Sequence, residues 1–170
     1  MKLRKLKAED APLMLEWMHD PSVTQYMQTD FSKKTLSDCQ AFIRSSFSSS
    51  NQHFALVSDD SDLYLGTVSL KNIENERAEF AITIRKQAMG SGLAAEGMRA
   101  IIQYGFENLN LKTVYWCVSP LNQRAVRFYN KNGYRQVPAP LQAAGYSPEQ
   151  CANYIWYEVN SDLSSDKGAL

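Results

Sequence analysis

Between Ala78 and Asn108 the sequence changes its hydrophobic period, and two glycines mark the change. The run AEFAITI (Ala78–Ile84) reads as a strand, whereas Leu93–Asn108 puts Ala94, Met98, Ile101 and Ile102 on one helical face. A strand feeding a helix in this way narrows the fold to a sheet with helices packed on it. Gly90 and Gly92 lie at the junction, where glycine frees the backbone to turn or lets something approach. Three occupants fit that opening: a nucleotide, another phosphate, or the next packing layer.

The stretch GSGLAA matches G-x-G-x-x-A, a variant of the dinucleotide fingerprint. That fingerprint also requires an acidic residue about twenty positions on, and no Asp or Glu occurs from Asn108 to Pro148. No Gly-Lys-Ser/Thr follows, which sets aside a P-loop. Close packing of strand on helix is the plainest account of the glycines taken alone.

The other elements follow from the same periodicities. Residues 2–6 alternate as a first strand. A helix is predicted from near Glu9, with Leu13, Met14, Trp17 and Met18 inward, stopped by Pro21. A second helix is predicted over 35–47, capped by Thr35 and striped by Leu36, Cys39, Phe42, Ile43 and Phe47. His53–Ser58, Tyr64–Lys71 and Ala78–Ile84 are strand-like runs separated by short polar turns, as in antiparallel hairpins. After the glycine junction and its helix come the strand LKTVYWCV, a helix within PLNQRAVRFYNKNG ended by Gly133, and the strand YIWYEV. A meander leading into β-α-β-α predicts an α/β (α+β) fold: a mixed, mostly antiparallel sheet with helices on its faces. One domain is expected over 1–160, with a polar tail over 161–170. The segment 137–154 carries no legible pattern.

Composition excludes several classes. A formal net charge of +0 weighs against nucleic acid as the main ligand. No apolar run of membrane-spanning length occurs, and the basic N-terminus lacks an uninterrupted apolar core, so no membrane association is expected. Cys39, Cys117 and Cys151 are scattered without CxxC spacing. This argues against a metal site and a disulfide framework and for a reducing cytoplasm. The charge is nevertheless segregated. Asn108–Pro148 holds Lys112, Arg124, Arg127, Lys131 and Arg135 with no acid, and Arg85, Lys86 and Arg99 flank the glycines. Exposed N–H groups and the dipole at a helix start already favour phosphate there. Glu9, Asp10, Glu16, Asp20 and Asp30 instead fill an acidic segment without Lys or Arg, which suits a cationic amine or a peptide N-terminus.

In PLNQRAVRFYNKNGY, Asn122 and Tyr129 are separated by nearly two helical turns, with Ala125 and Val126 between them. The spacing allows an ordinary core tyrosine, or an apolar strip with an amide and a phenol at its ends. Taken together, the two stretches resemble the signatures of the GNAT superfamily of acyl-CoA N-acyltransferases. Gln87-x-x-Gly90-x-Gly92 is similar to its pyrophosphate-binding motif, and NQRAVRFYNKNGY to its N-x-x-A-x-x-x-Y-x-K-x-G-F/Y motif. LEWMHDPSVTQYM is further similar to the branch of ribosomal-protein N-terminal and nucleotide-linked amino-sugar acetyltransferases.

The resemblance implies acetyl-CoA as acetyl donor, no metal, and a sheet splayed at its centre. Met89, Gly90, Ser91, Gly92 and Leu93 would offer backbone N–H groups to the pyrophosphate. Ile82, Thr83 and Ile84 would pair with the pantetheine amides as an added strand does. Asn122 would meet the pantetheine arm and Tyr129 the sulfur, the phenol protonating the departing thiolate. Gln87 stands where Arg is commoner, so Arg85, Lys86 or Arg124 would supply the missing charge. Glu79 is the candidate to take the amine proton, through water; the other reading is an exposed strand-end carboxylate. Trp17, His19, Tyr26 and Phe80 are the candidates for the acceptor site. The expected reaction is direct acetyl transfer to a peptide N-terminus, small amine or amino sugar by a monomer or homodimer. The alternative is a catalytically silent acyl-CoA- or nucleotide-binding module, against which the presence of both Asn122 and Tyr129 argues.

Overall fold

The computed structural model describes residues 1–161; beyond Ser161 the expected tail lies outside the described residues. The strands are β1 (Lys2–Lys5), β2 (Gln52–Val57), β3 (Tyr64–Glu74), β4 (Arg77–Ile84), β5 (Thr113–Val118), β6 (Arg135–Val137) and β7 (Ile155–Asn160). The helices are α1 (Ala11–Met18), α2 (Pro21–Thr24), α3 (Leu36–Arg44), α4 (Leu93–Asn108), α5 (Gln123–Lys131) and α6 (Pro148–Asn153). One seven-stranded sheet runs in the order β1-β2-β3-β4-β5-β7-β6. Every neighbouring pair is antiparallel except β4–β5.

Period-two alternation divides the core between the two faces of this sheet. Phe54, Leu56, Val68, Leu70 and Phe80 point to the face covered by α4, against Met98 and Ile101. Ala55, Val57 and Tyr64 point to the opposite face, against Met14, Trp17 and Met18 of α1 and Cys39 of α3. Helices therefore cover both faces, as expected.

Three local expectations change. The first helix starts at Ala11 rather than near Glu9, after a 3-10 turn over Ala8–Asp10. Buried Asp10 holds Arg4 there, and Pro12 follows, a residue suited to a first helical turn. Pro21 does end that helix's run, but it also opens α2, with Asp20 capping the Ser22 N–H. In α3 the Thr35–Asp38 capping box forms, yet Leu36 at the helix start is 42% exposed. Phe47 lies beyond the helix and packs on Phe54 instead. Neither β6 nor α6 is marked in the sequence by a periodic apolar pattern.

Candidate active site

The parallel β4–β5 pair is short. Arg77–Thr113, Ala78–Val114 and Glu79–Tyr115 are in register, and no pairing continues past them. From Phe80 to Ile84, β4 pairs only with β3, while Trp116–Val118 pairs only with β7. The sheet opens into a wedge at its centre, and Ile82, Thr83 and Ile84 carry a free strand edge along it.

The glycine loop follows directly. Gly90 (φ 81°) and Gly92 (φ 88°) both adopt the left-handed region, which side-chain-bearing residues disfavour. A Cβ built on either would meet nothing within 4 Å. The next packing layer is thereby excluded as the reason for the glycines; open space lies in front of them. Among the described residues, the N–H groups of Gly90, Ser91, Gly92, Leu93 and Ala94 donate to no backbone carbonyl in the turn. They open at the start of the 16-residue α4, where unpaired N–H groups and the helix dipole favour an anion. Met89 is a correction to the expected donor set: its N–H closes the preceding 3-10 turn on Lys86 O at 3.2 Å.

The flanking charges sort themselves as well. Arg85 does not face the loop. It is 3% exposed, bound to Glu16 (2.9 Å) and to the Tyr64 carbonyl (3.0 Å). With its amide oriented by the hydrogen-bond network, Gln87 accepts from the same guanidinium at 2.7 and 2.9 Å. Arg124, by contrast, reaches across from α5 to place Nη1 3.0 Å from Met89 Sδ, with its charge exposed beside the loop.

Glu79 is the last residue of β4 paired to β5, and it is buried (3% exposed), which excludes the exposed strand-end reading. Three donors converge on it: Lys71 Nζ (3.0 Å) and Tyr146 Oη (2.6 Å) on Oε1, and Asn72 Nδ2 (2.9 Å) on Oε2. Lys71 is its cross-strand partner. Asn72 (φ 51°) sits at an irregularity in β3, and such bulges re-aim side chains beside sites. Tyr146 comes from the segment the sequence left illegible.

Tyr129 is 8% exposed, packed on Trp116 and Tyr157 at ring distances of 5.3 and 5.1 Å. Burial pushes its pKa up, so it is a phenol at neutral pH. Among the described residues its hydroxyl donates to no protein acceptor. Asn122 does not share a helical face with it: it is the N-cap of α5, its Oδ1 accepting from the Ala125 N–H (3.2 Å). Cys117 feels both Tyr129 and Tyr146, and burial pushes its thiol up to about 12, which makes it a poor nucleophile.

A cavity of about 300 Å³ lies on the α1–α3 face. Met14, Trp17, Met18, Phe31 and Phe42 form one wall; His53, Thr67, Ser69, Lys71, Ala81 and Thr83 form the sheet side. Ile82 and Thr83 bring it to the free edge of β4, and Lys71 brings it to Glu79. Of the four expected acceptor residues only Trp17 lines it. His19 is exposed, its Nε2 on the Lys34 carbonyl (2.9 Å), and Tyr26 is 42% exposed. Phe80 follows Glu79 and so points to the opposite face, against Trp116. Among the described residues no group of three or more His, Cys, Asp or Glu is arranged to hold a metal, and no helix is long and apolar enough to cross a membrane.

The family model of the acetyltransferase (GNAT) domain matches residues 1–135. The chain is 30% identical, over 80% of its length and 79% of the relative's, to the uncharacterized N-acetyltransferase p20 of Bacillus licheniformis. It is 28% identical, over 79% of its length and 72% of the relative's, to spermidine N(1)-acetyltransferase of Escherichia coli. The fold is similar to that of spermidine N-acetyltransferase from Vibrio cholerae, solved with CoA and spermine. The TM-score is 0.77 at 18% identity, covering 95% of each chain. The chain belongs to the GNAT family of acetyltransferases.

Proposed function

We propose that residues 1–160 act as one unit that moves the acetyl group of acetyl-CoA to a primary amine, with both substrates bound together. The observation that carries this reading is the continuity of three features: the open N–H groups of Gly90–Ala94, the free edge of β4, and buried Glu79 at the wedge apex. Acetyl-CoA supplies an electrophilic thioester carbonyl and a thiolate leaving group. The loop N–H groups and Arg124 hold its pyrophosphate, and Ile82–Ile84 pair with its pantetheine arm. A backbone N–H at the end of that edge polarises the carbonyl. Glu79 takes the amine proton, its carboxylate oriented by Lys71, Asn72 and Tyr146. Tyr129, with no competing acceptor, gives its proton to the thiolate. The amine enters through the cavity bounded by Trp17 and Phe42. Three free thiols fit a cytoplasmic setting.

The loop assignment is tested by comparing CoA with pantetheine, which lacks the pyrophosphate and nucleotide. Calorimetry is expected to show pantetheine at least ~100-fold weaker, about 2.7 kcal/mol. Equal affinities would leave the loop without a ligand.

A further inference from the structure

The five acids between Glu9 and Asp30 suggest a cationic acceptor, but the structure ties four of them up elsewhere and keeps the fifth, Glu9, away from the cavity. Asp10 is buried against Arg4 at 2.7 and 2.8 Å, and Glu16 pairs with Arg85. Asp20 and Asp30 accept the Ser22 and Ser32 N–H groups at 2.8 and 2.9 Å. Glu9 borders a separate surface depression with Arg4 and Lys7. None of the five lines the acceptor cavity.

The charges that do line it are Lys34, Lys71 and Asp38. Lys71 binds Glu79, so the inner end offers a second ammonium no unshared carboxylate. Asp38 stands at the exposed rim, its Oδ2 taken by the Thr35 N–H and hydroxyl, each at 2.8 Å. Lys34 is half-buried, acts on the Asp38 charge, and has no carboxylate within 4.0 Å among the described residues. The remaining polar lining is neutral: Thr29, Thr67, Thr83, and His53 bonded through Nδ1 to Ser69 Oγ at 2.7 Å. A second ammonium here would be desolvated against apolar walls beside like charge.

We infer that the acceptor is a primary amine whose second polar group is neutral or anionic, and that polyamines are poor substrates. This rests on the cavity being the acceptor site of the proposed acetyltransferase. The likeness to spermidine acetyltransferases therefore does not extend to acceptor charge.

The test is a series of equal chain length: cadaverine, aminopentanol and aminopentanoate, each assayed for CoA release and amide formation. Cadaverine is expected to show kcat/KM at least ~10-fold below the other two, and Lys34→Glu to narrow or reverse that gap. Cadaverine used as well as aminopentanol would overturn the inference while leaving amine acetylation standing. No CoA release with any of the three, with acetyl-CoA still bound, would remove the cavity as the acceptor site and the inference with it.

Discussion

Tyr129 presents an unusually clean substitution, because its hydroxyl has no protein partner to lose among the described residues. Tyr129→Phe keeps the ring on Trp116 and Tyr157, so stability and acetyl-CoA affinity are expected to change little. Turnover at neutral pH is expected to fall about 10²-fold or more, the range of general acid–base catalysis. Paired stopped-assay and thermal-melt measurements separate the two; intact turnover with chemistry rate-limiting would make Tyr129 a packing residue. The burial that raises this phenol would also disfavour a naked thiolate departing beside it in the proposed transfer. At this scale the sequence is informative where a residue's neighbours are local. The left-handed turn at Gly90 and Gly92 is legible because it is set within a few consecutive residues. Phe80 does not belong on the acceptor side, because its alternation with Glu79 already turns it to the opposite face. Asn122 is similar: a residue just before a helix caps it more often than it lies on its face.

Among the elements, β4 bears the most demanding role, since one edge pairs with β3 and the other, past Glu79, pairs with no strand. Gly66 of β3 makes that arrangement possible. A Cβ there would collide with the Thr83 carbonyl oxygen and stand 3.2 Å from Ile84 Cα. Gly66→Ala is expected to destabilise the fold by about 2 kcal/mol through overpacking, and to weaken acetyl-CoA binding by shifting Thr83 and Ile84. Denaturant unfolding and calorimetry check the two effects; a variant with both unchanged would mean that β3 and β4 can part freely. With its full apolar period, α4 is legible to the residue, whereas the bounds of α1, α3 and β2–β4 differ from the expected ones by one to three residues. Three-residue β6 and six-residue α6 were not, being too short to show a period. The Lys71–Glu79 pair was hidden for another reason. A hairpin closed regularly from Glu74–Arg77 would set Lys71 opposite Phe80, and the irregularity in β3 shifts it by one onto Glu79.

For the whole molecule, a pH dependence follows from His53, half-buried under α3 with its ring 4.6 Å from Phe42. Burial, with Lys71 nearby, pushes its pKa from 6.5 down to about 4. The unfolded chain then binds the proton more readily, so stability falls as pH drops from 6.5 towards 4 and is retained above. At about 1.4 kcal/mol per unit, the loss reaches up to about 3 kcal/mol. The caps on Asp20 and Asp30 hold those carboxylates below 3.8, so their contribution is lost only at lower pH. Unfolding free energies measured across that window should slope for the wild type and flatten for His53→Gln; parallel slopes would contradict the assignment. The overall architecture was legible because hairpins and the glycine junction are consecutive in sequence. The acceptor cavity was not, since it joins α1, α3, β2, β3 and β4, whose mutual placement no local pattern encodes. The central claim, amine acetylation at the wedge, is tested most directly by following free CoA and acetylated amine together over a panel of primary amines. The account predicts that CoA release depends on the amine and that amide appears one-for-one with thiol. Acetyl-CoA bound by the loop with no amine-dependent release across the panel would contradict it and make the protein a silent acyl-CoA-binding module.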